Sequence, residues 1–263
     1  MRLRWGVALL VVMTASIGLA QMPSTTTVKA QGGDIVITAL GHASVQVEQG
    51  GRVIIVDPVT MMADLSRAKP ADLILVTDIH GDHLDAAAVA KLRKPGAPVV
   101  VPQAVADMKQ IPDPTVMANA TMRTNEQSLA GITVIAVPAY NVQRGPSPGQ
   151  LYHPRGRGQG YVLAFSDKLA DVRQGRAAQV YVAGDTECVP AMTTWVKDVD
   201  VALMPMNLPY TMTPAEAAAC VKDFKPKVAI PYHYMGQNPQ EFADALKGSG
   251  IEVRLLSWYA GSK

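Results

Sequence analysis

The chain has 263 residues, of which 48% are hydrophobic and 17% charged, and its formal net charge is +2. This length and apolar content are typical of one large domain, or two small ones, with a substantial buried core. A chain with so little net charge and no basic run lacks the electrostatic surface that binds nucleic acid or anionic lipid, so we expect a small-molecule substrate and no nucleic-acid partner.

The N-terminus has the pattern of a secretory signal. Arg2 and Arg4 form a charged n-region, residues 5–19 form an apolar h-region, and Gly18-Leu19-Ala20 is a small-residue cleavage site. An uncleaved membrane anchor is the alternative, but the apolar run is short for a span. We therefore predict a signal peptide at residues 1–20, a periplasmic or secreted protein, and no stable membrane anchor after cleavage.

Residues 21–33, rich in Thr, Ser and Gln, are predicted to be a linker, and residues 34–263 a single domain. Loss of Arg2 and Arg4 with the signal brings the formal charge to zero. Export would place the two cysteines, Cys188 and Cys220, where they could pair. We favour two buried free thiols, because a domain of this size does not need a disulfide.

Strands and helices alternate along the domain after an antiparallel opening with a turn at Gln49-Gly50-Gly51. Apolar runs predict strands at residues 35–40, 43–48, 52–57, 73–76, 99–101, 132–137, 161–165, 179–182, 199–204, 227–230 and 251–256. Helices are predicted at residues 59–67, 86–93, 103–109, 214–224 and 238–247. Thr213 is the expected N-cap of the helix that starts at Pro214. The order indicates a layered α/β fold.

Candidate chemistry first appears where the buried strand 73–76 ends. Within eight residues the chain presents Asp78, His80, Asp82, His83 and Asp85. Imidazoles and carboxylates are expensive to bury unless something binds their lone pairs, and a divalent metal is a common partner. A solvated loop rich in His and Asp is the alternative for this segment alone.

Two further apolar strands end in the same chemistry. Residues 180–183 lead into Gly184-Asp185, and residues 228–230 lead into Tyr232-His233. Strand ends at one edge of a layered α/β structure lie close together, so residues distant in sequence can converge there. This repetition favours a metal site over a solvated loop.

These motifs as a set resemble the metallo-β-lactamase superfamily. They are Gly41-His42-Ala43, Asp57-Pro58, His80-x-Asp82-His83, Gly184-Asp185-Thr186 and Tyr232-His233-Tyr234. The most similar branch contains ascorbate-6-phosphate-lactonase-like and N-acylphosphatidylethanolamine phospholipase-D-like hydrolases. The resemblance implies an αβ/βα four-layer sandwich, with two mixed β-sheets, helices on the outer faces and a metal centre at one edge.

Carried over position by position, the resemblance implies that His80 binds a first metal and that Asp185 bridges two. Asp82, His83 and His233 would bind the second metal. The expected cofactor is one or two divalent ions, with Zn²⁺ favoured, and a metal-bound hydroxide is the implied nucleophile. Asp82 is the candidate catalytic residue, since it could orient that nucleophile or take a proton.

The chain departs from the family pattern at the first metal, because Asp78 and Asn141 stand where the family has histidine. These harder ligands predict a site shifted toward Mn²⁺ or Fe²⁺, or a weak one, and hence one tight and one loose or absent metal. His153, in the long loop 141–160, could complete this site, contact substrate beside Arg155 and Arg157, or lie on the surface.

Three other residues border the predicted centre. His42 is expected to hydrogen-bond near the site rather than to ligate. Tyr210 could line the pocket or lie in a plain connecting loop. Glu187 is expected to be a helix N-terminal carboxylate, with contact to the site as the alternative.

The resulting hypothesis is an exported, metal-dependent hydrolase that acts on an ester, lactone or phosphodiester. β-Lactam hydrolysis does not follow from superfamily membership. The alternative is a non-catalytic metal- or ligand-binding protein with a degenerate first metal site, which Asp78 and Asn141 motivate. An iron-dependent oxidoreductase is a third, weaker hypothesis.

Overall fold

A computed structural model describes residues 22, 24–118 and 125–259, and the predicted signal peptide lies outside these residues. Two seven-stranded sheets form the fold, and within each sheet the strands are neighbours in chain order. The first sheet contains β1 (Thr25–Val28), β2 (Ile35–Gly41), β3 (Ser44–Gln49), β4 (Arg52–Val56), β5 (Leu73–Leu75), β6 (Val99–Pro102) and β7 (Thr115–Met117). The second contains β8 (Glu126–Leu129), β9 (Ile132–Ala139), β10 (Gly158–Ala164), β11 (Gln179–Val182), β12 (Val201–Pro205), β13 (Val228–Tyr232) and β14 (Glu252–Val253).

Each sheet is mixed in the same way. Strands β1 to β4 pair antiparallel and β4 to β7 parallel. The second sheet repeats this plan, antiparallel from β8 to β11 and parallel from β11 to β14. The helices are α1 (Ala86–Leu92), α2 (Gln103–Asp107), α3 (Leu169–Arg173), α4 (Pro190–Trp195), α5 (Pro214–Phe224) and α6 (Pro239–Ala245). This is the predicted αβ/βα four-layer sandwich.

Side-chain alternation along the strands builds two cores. Leu73 and Leu75 of β5 lie in the large core, which contains residues of both sheets. Ile74, on the opposite face, packs with Val89 and Leu92 of α1 in a smaller core. Strand β5 is fully buried, as its unbroken apolar run predicts. None of the helices that the structure describes has the length and apolar content of a transmembrane span.

Two local predictions were wrong. The expected linker 21–33 contains β1, whose Thr-rich edge strand pairs with β2. The expected helix 59–67 is limited to a 3-10 turn at Leu65–Arg67. It begins after Asp64, whose backbone N–H donates to the Leu40 carbonyl of β2 and whose side chain accepts the Ser66 N–H as the cap of this turn.

The cysteines also differ from expectation, since Cys188 and Cys220 form a disulfide and neither is a free thiol. The bond connects the segment after β11 to α5. The predicted cap of α5 is confirmed: Thr213 and Glu216 form a reciprocal capping box. The segment that carries Asp185 is therefore covalently tied to a well-capped helix.

Candidate metal centre

All five histidines of the chain lie at one edge of the sandwich, where strands of both sheets end. Three groups of residues place their ligand atoms within 4.8 Å of one another. The groups are His80, His153 and Asp185; His83, Asp185 and His233; and His42, Asp82 and His233. Asp185 joins the first two groups, so the convergence predicted from the strand ends is present in the structure.

The strand ends hold the backbone in unusual conformations. His42, Asp57 and His233 follow β2, β4 and β13, and they have φ angles of 49°, 49° and 47°. Left-handed conformations are uncommon for residues other than glycine, although Asp and His adopt them more readily than most. Such strain persists at functional sites, where the surrounding structure determines it.

Asp57 orients His83. Its Oδ2 atom lies 2.8 Å from His83 Nδ1 and accepts the Thr77 hydroxyl at 2.6 Å, while Oδ1 accepts the Thr77 backbone N–H at 2.7 Å. With Nδ1–H directed at Asp57, the Nε2 lone pair of His83 faces Asp185 Oδ2 at 3.3 Å. Two electron-rich atoms at this distance require a cation or a proton between them.

Several buried atoms here have no hydrogen-bond partner among the described residues. They are His83 Nε2, Asp185 Oδ1 and both ring nitrogens of His233. His233 Nε2 lies 3.3 Å from Asp185 Oδ1 and 3.6 Å from Asp82 Oδ2. Buried polar atoms are rarely left unpaired, so this donor set of imidazole and carboxylate fits a divalent cation.

The pKa values of the site's own side chains reflect the same crowding. Burial opposes protonation of His83, but Asp185 and Asp57 outweigh it and hold the pKa of His83 well above its usual range. Burial would raise the pKa of Asp185, yet the neighbouring His233 and His83 hold it well below its usual range. Burial lowers the pKa of His233 to about 3. Asp185 is therefore an ionised carboxylate among imidazoles.

His42 lies beside Asp82 and hydrogen-bonds its carboxylate. Its Nε2 atom lies 3.0 Å from Asp82 Oδ2, and its Nδ1 atom lies 2.9 Å from the Tyr259 hydroxyl. Tyr259 accepts the Met235 backbone N–H, so its own hydrogen can point at His42 Nδ1 and leave Nε2–H to donate to Asp82. Burial would raise the pKa of Asp82, but this bond and the charge of His83 hold it well below the usual range.

His153 is the loop residue that the structure brings into the centre. It is 1% exposed, its Nε2 atom lies 3.1 Å from Asp185 Oδ2, and its ring packs edge-on against His80 at 5.3 Å between centroids. Asn141 Oδ1 accepts hydrogen bonds from the backbone N–H and Nδ1 of His153, at 2.8 and 2.6 Å. Asn141 Nδ2 donates to the Tyr210 carbonyl at 2.8 Å. Both ends of the Asn141 side chain are thus used within the protein.

Asp78 lies beside this group but belongs to none of the three groups formed by the described residues. Its carboxylate is 1% exposed, accepts the His80 backbone N–H at 3.2 Å and pairs with Arg157 Nε at 3.2 Å. Gly158 makes room for it, because a Cβ there would lie 2.9 Å from Asp78 Oδ2. Asp78 therefore pairs with a guanidinium where the family pattern has a ligand.

The remaining candidates lie at the rim. Arg155 is exposed and its guanidinium lies 5.5 Å from the Tyr140 ring centroid. Tyr210 is 43% exposed, and its ring packs edge-on against that of Tyr152. Neither residue reaches the imidazole cluster by a described contact, and both remain candidates for substrate contact.

Glu187 has a role that the sequence analysis did not favour. It precedes α4 without capping it, and its Oε2 atom accepts the backbone N–H groups of Val142, Gln143 and Arg144 at 2.5, 2.7 and 3.4 Å. Arg144 Nη1 contacts Glu187 Oε1 at 2.5 Å, and Nη2 bonds Glu216. Glu187 thus anchors the loop that carries His153. A loop of this length offers no sequence signal for such a contact.

The sandwich and the cluster of imidazoles around a shared carboxylate at its edge define a metallo-hydrolase. A family model, the beta-lactamase superfamily domain, matches residues 36–233, and the chain belongs to this superfamily. A UPF0173 metal-dependent hydrolase of Thermococcus kodakarensis is 32% identical over 235 residues, covering 82% of this chain and 94% of the relative. A UPF0173 relative from Methanopyrus kandleri is 30% identical over 238 residues, covering 84% and 95%. The chain is accordingly a metal-dependent hydrolase.

Solved structures agree with the fold. A Parabacteroides distasonis protein, proposed to be a metal-dependent hydrolase, is 37% identical with a TM-score of 0.75, covering 88% of this chain and 97% of that one. CmlA, a diiron β-hydroxylase from Streptomyces venezuelae, is 17% identical with a TM-score of 0.58, covering 84% and 53%. The second likeness shows the fold alone.

Proposed function

We propose that this protein is an exported hydrolase that cleaves an ester, lactone or phosphodiester bond of a small molecule at two cation positions sharing Asp185. His80, His153 and Asp185 would hold one cation, and His83, Asp185 and His233 the other, with Asp82 beside the second. The observation that carries the proposal is the set of buried atoms without a hydrogen-bond partner at Asp185, which are His83 Nε2, Asp185 Oδ1 and the two ring nitrogens of His233.

Divalent cations bound at these positions would supply Lewis acidity and a hydroxide nucleophile near neutral pH. The protein's own groups prepare this chemistry. Asp57 and Asn141 direct His83 and His153, and Asp82 is held ionised and oriented by His42. Asp82 could therefore take a proton from the nucleophile, which is the role predicted for it from the sequence.

His153 weakens the case for a non-catalytic scaffold. That alternative depended on the loss of two imidazoles at the first position, but His153 supplies one from the loop.

Export is supported by the signal-like N-terminus and by the Cys188–Cys220 disulfide, since such bonds persist in oxidising compartments. N-terminal sequencing of the protein from a periplasmic or culture fraction should begin near Gln21, and a protein that retains Arg2 would contradict signal cleavage.

The test of activity uses residues 21–263 with measured metal content and three substrate types: aryl esters, lactones and bis(p-nitrophenyl) phosphate. We expect metal-dependent turnover of at least one type and none in Asp185→Asn, since that change weakens the shared ligand. A chromogenic cephalosporin is the control for β-lactam cleavage. Failure of all three types with fully metallated protein would refute these substrate classes.

A further inference from the structure

Asn141 and Asp78, the two residues that depart from the family pattern, each contact a histidine of the first group. Asp78 Oδ1 accepts the His80 backbone N–H at 3.2 Å and lies 3.6 Å from His80 Nδ1, whereas Asn141 Oδ1 lies within hydrogen-bond distance of His153 Nδ1, at 2.6 Å. Asp57 stands in the same relation to His83, at 2.8 Å. An oxygen at Nδ1 fixes the tautomer of a ligating histidine and leaves Nε2 for the metal.

We propose that Asn141 and the Arg157-paired Asp78 are positioning residues, which act on the first cation position through His153 and His80 rather than as its ligands. The inference rests on the proposed function only for the two cation positions. It assigns the ligand lost at residue 141 to His153, twelve residues further along the chain.

The contacts of Asn141 leave its side chain little capacity to ligate. Its oxygen already accepts two hydrogen bonds from His153, and its nitrogen donates to the Tyr210 carbonyl. The backbone N–H of Asn141 also donates to the His153 carbonyl at 2.8 Å. Residues 141 and 153 are therefore joined by three hydrogen bonds that hold the ring of His153 against Asp185.

The three backing groups differ in charge. Asp57 is a carboxylate within hydrogen-bond distance of His83, Asn141 is a neutral amide, and the charge of Asp78 is balanced by Arg157. A backing carboxylate raises ligand basicity more than an amide or a neutralised carboxylate does. His80 is also the exposed member of the centre, with 42% of its side-chain surface accessible. The first position should therefore bind its cation more weakly than the second.

Cobalt binding to apo-protein tests the proposal without using activity. We expect two equivalents of Co²⁺ in the wild type, followed by the absorption bands of the bound ion, and a single equivalent in His153→Ala. Asn141→Ala should keep both equivalents, with the weaker one bound about 10- to 100-fold less tightly, which is the usual effect of losing such a partner. Asp78→Asn should weaken the same equivalent by a smaller factor.

A double-variant cycle separates positioning from ligation. If Asn141 acts through His153, the Asn141→Ala/His153→Ala protein binds Co²⁺ like His153→Ala alone. Asn238→Ala is the matched control, because it removes an exposed asparagine that caps α6 and should leave both affinities unchanged. Thermal unfolding of each apo-variant shows whether it is folded before titration.

Three results would overturn the proposal. They are an unchanged affinity in Asn141→Ala, loss of an equivalent in Asn141→Ala with two retained in His153→Ala, and only one equivalent in the wild type at saturating Co²⁺. Long-range ¹H–¹⁵N spectra of the Zn²⁺-loaded protein give an independent readout, in which His153 should carry its hydrogen on Nδ1. A chain that shows this binding pattern but cleaves no substrate would leave the inference standing and refute the proposed hydrolysis.

Discussion

Reduction of the Cys188–Cys220 disulfide is expected to lower the free energy of unfolding by about 4 kcal/mol. The bond joins residues 32 apart, between the segment that follows Asp185 and the middle of α5. In the chain-entropy model, a closed loop of this length removes about 12 cal/mol/K from the unfolded chain, which is about 3.7 kcal/mol at 298 K.

The same loss should appear in thermal unfolding. For a domain of this size, 1 kcal/mol corresponds to a change in Tm of about 2–4 °C, so reduction should lower Tm by about 8–15 °C. The m value for urea should rise on reduction, because a chain without the crosslink exposes more surface when it unfolds.

Urea unfolding of the apo-protein, with and without a phosphine reductant, measures this effect. A chelator is kept in all samples so that the reductant cannot act through bound metal. The Cys188→Ala/Cys220→Ala protein is the control: it should unfold like the reduced wild type and should not respond to the reductant. A loss below about 1 kcal/mol on reduction would refute the entropic argument.

Four further results are expected from the centre and the loop that serves it. Asp57→Asn should weaken one metal equivalent by about 10- to 100-fold in a competition titration with a chromophoric chelator, because His83 loses its orienting carboxylate. Zn²⁺ binding near pH 7 should release a proton, because the raised pKa of His83 keeps its imidazole protonated in the apo-protein. The heat of binding should therefore differ between buffers of different ionisation enthalpy. Identical heats in calorimetry would contradict the prediction. Glu187→Gln should lower the free energy of unfolding by about 1–3 kcal/mol because it weakens buried hydrogen bonds, whereas Glu216→Gln, half-exposed, should cost less in the same urea assay. Removal of the metal with a chelator should lower Tm. Cations that bind only the folded state, at a free concentration about 1,000 times their Kd, raise the free energy of unfolding by about 4 kcal/mol. Scanning calorimetry before and after dialysis against the chelator measures the change in Tm.

The strand ends were predictable because their signal is local. An apolar run such as residues 73–76 must be buried, and the polar residues directly after it must then lie at a sheet edge. Parallel pairing of β4 with β5, of β11 with β12 and of β12 with β13 brings those ends together. The spacing of Asp185 and His233 from their strands therefore held enough information to place both residues at the centre.

The proposed replacement of residue 141 by His153 as a ligand of the first cation was not predictable from a local pattern. It depends on the path of a loop in which Arg157 N–H bonds the Pro154 carbonyl, so that the chain turns back toward Asp78. The sequence analysis left three alternatives open for His153, one of which was to complete the first site, because no strand end placed this histidine. The sequence thus marked the residue as a candidate, while only tertiary structure showed what it contacts.

The free-thiol prediction was wrong for a related reason. Domain size indicates whether a crosslink is needed for stability, but not whether two cysteines meet. Cys188 and Cys220 meet because α5 packs beside the segment after β11, with their Cα atoms 5.7 Å apart. The predicted secretory signal had left pairing open, since export would place both cysteines in an oxidising compartment.

The segment at residues 184–188 explains why these separate contacts matter to one site. Each of its residues is tied to a different part of the fold: Gly184 N–H to the Tyr232 hydroxyl, Thr186 to Tyr140, Glu187 to Arg144 and Cys188 to Cys220. Asp185, the carboxylate common to both cation positions, lies in the middle of these ties. A shift of this segment would move a ligand of both cations at once, whereas a shift of the 141–157 loop would disturb only the first. The many contacts that hold residues 184–188 in place are therefore what a preorganised metal centre requires.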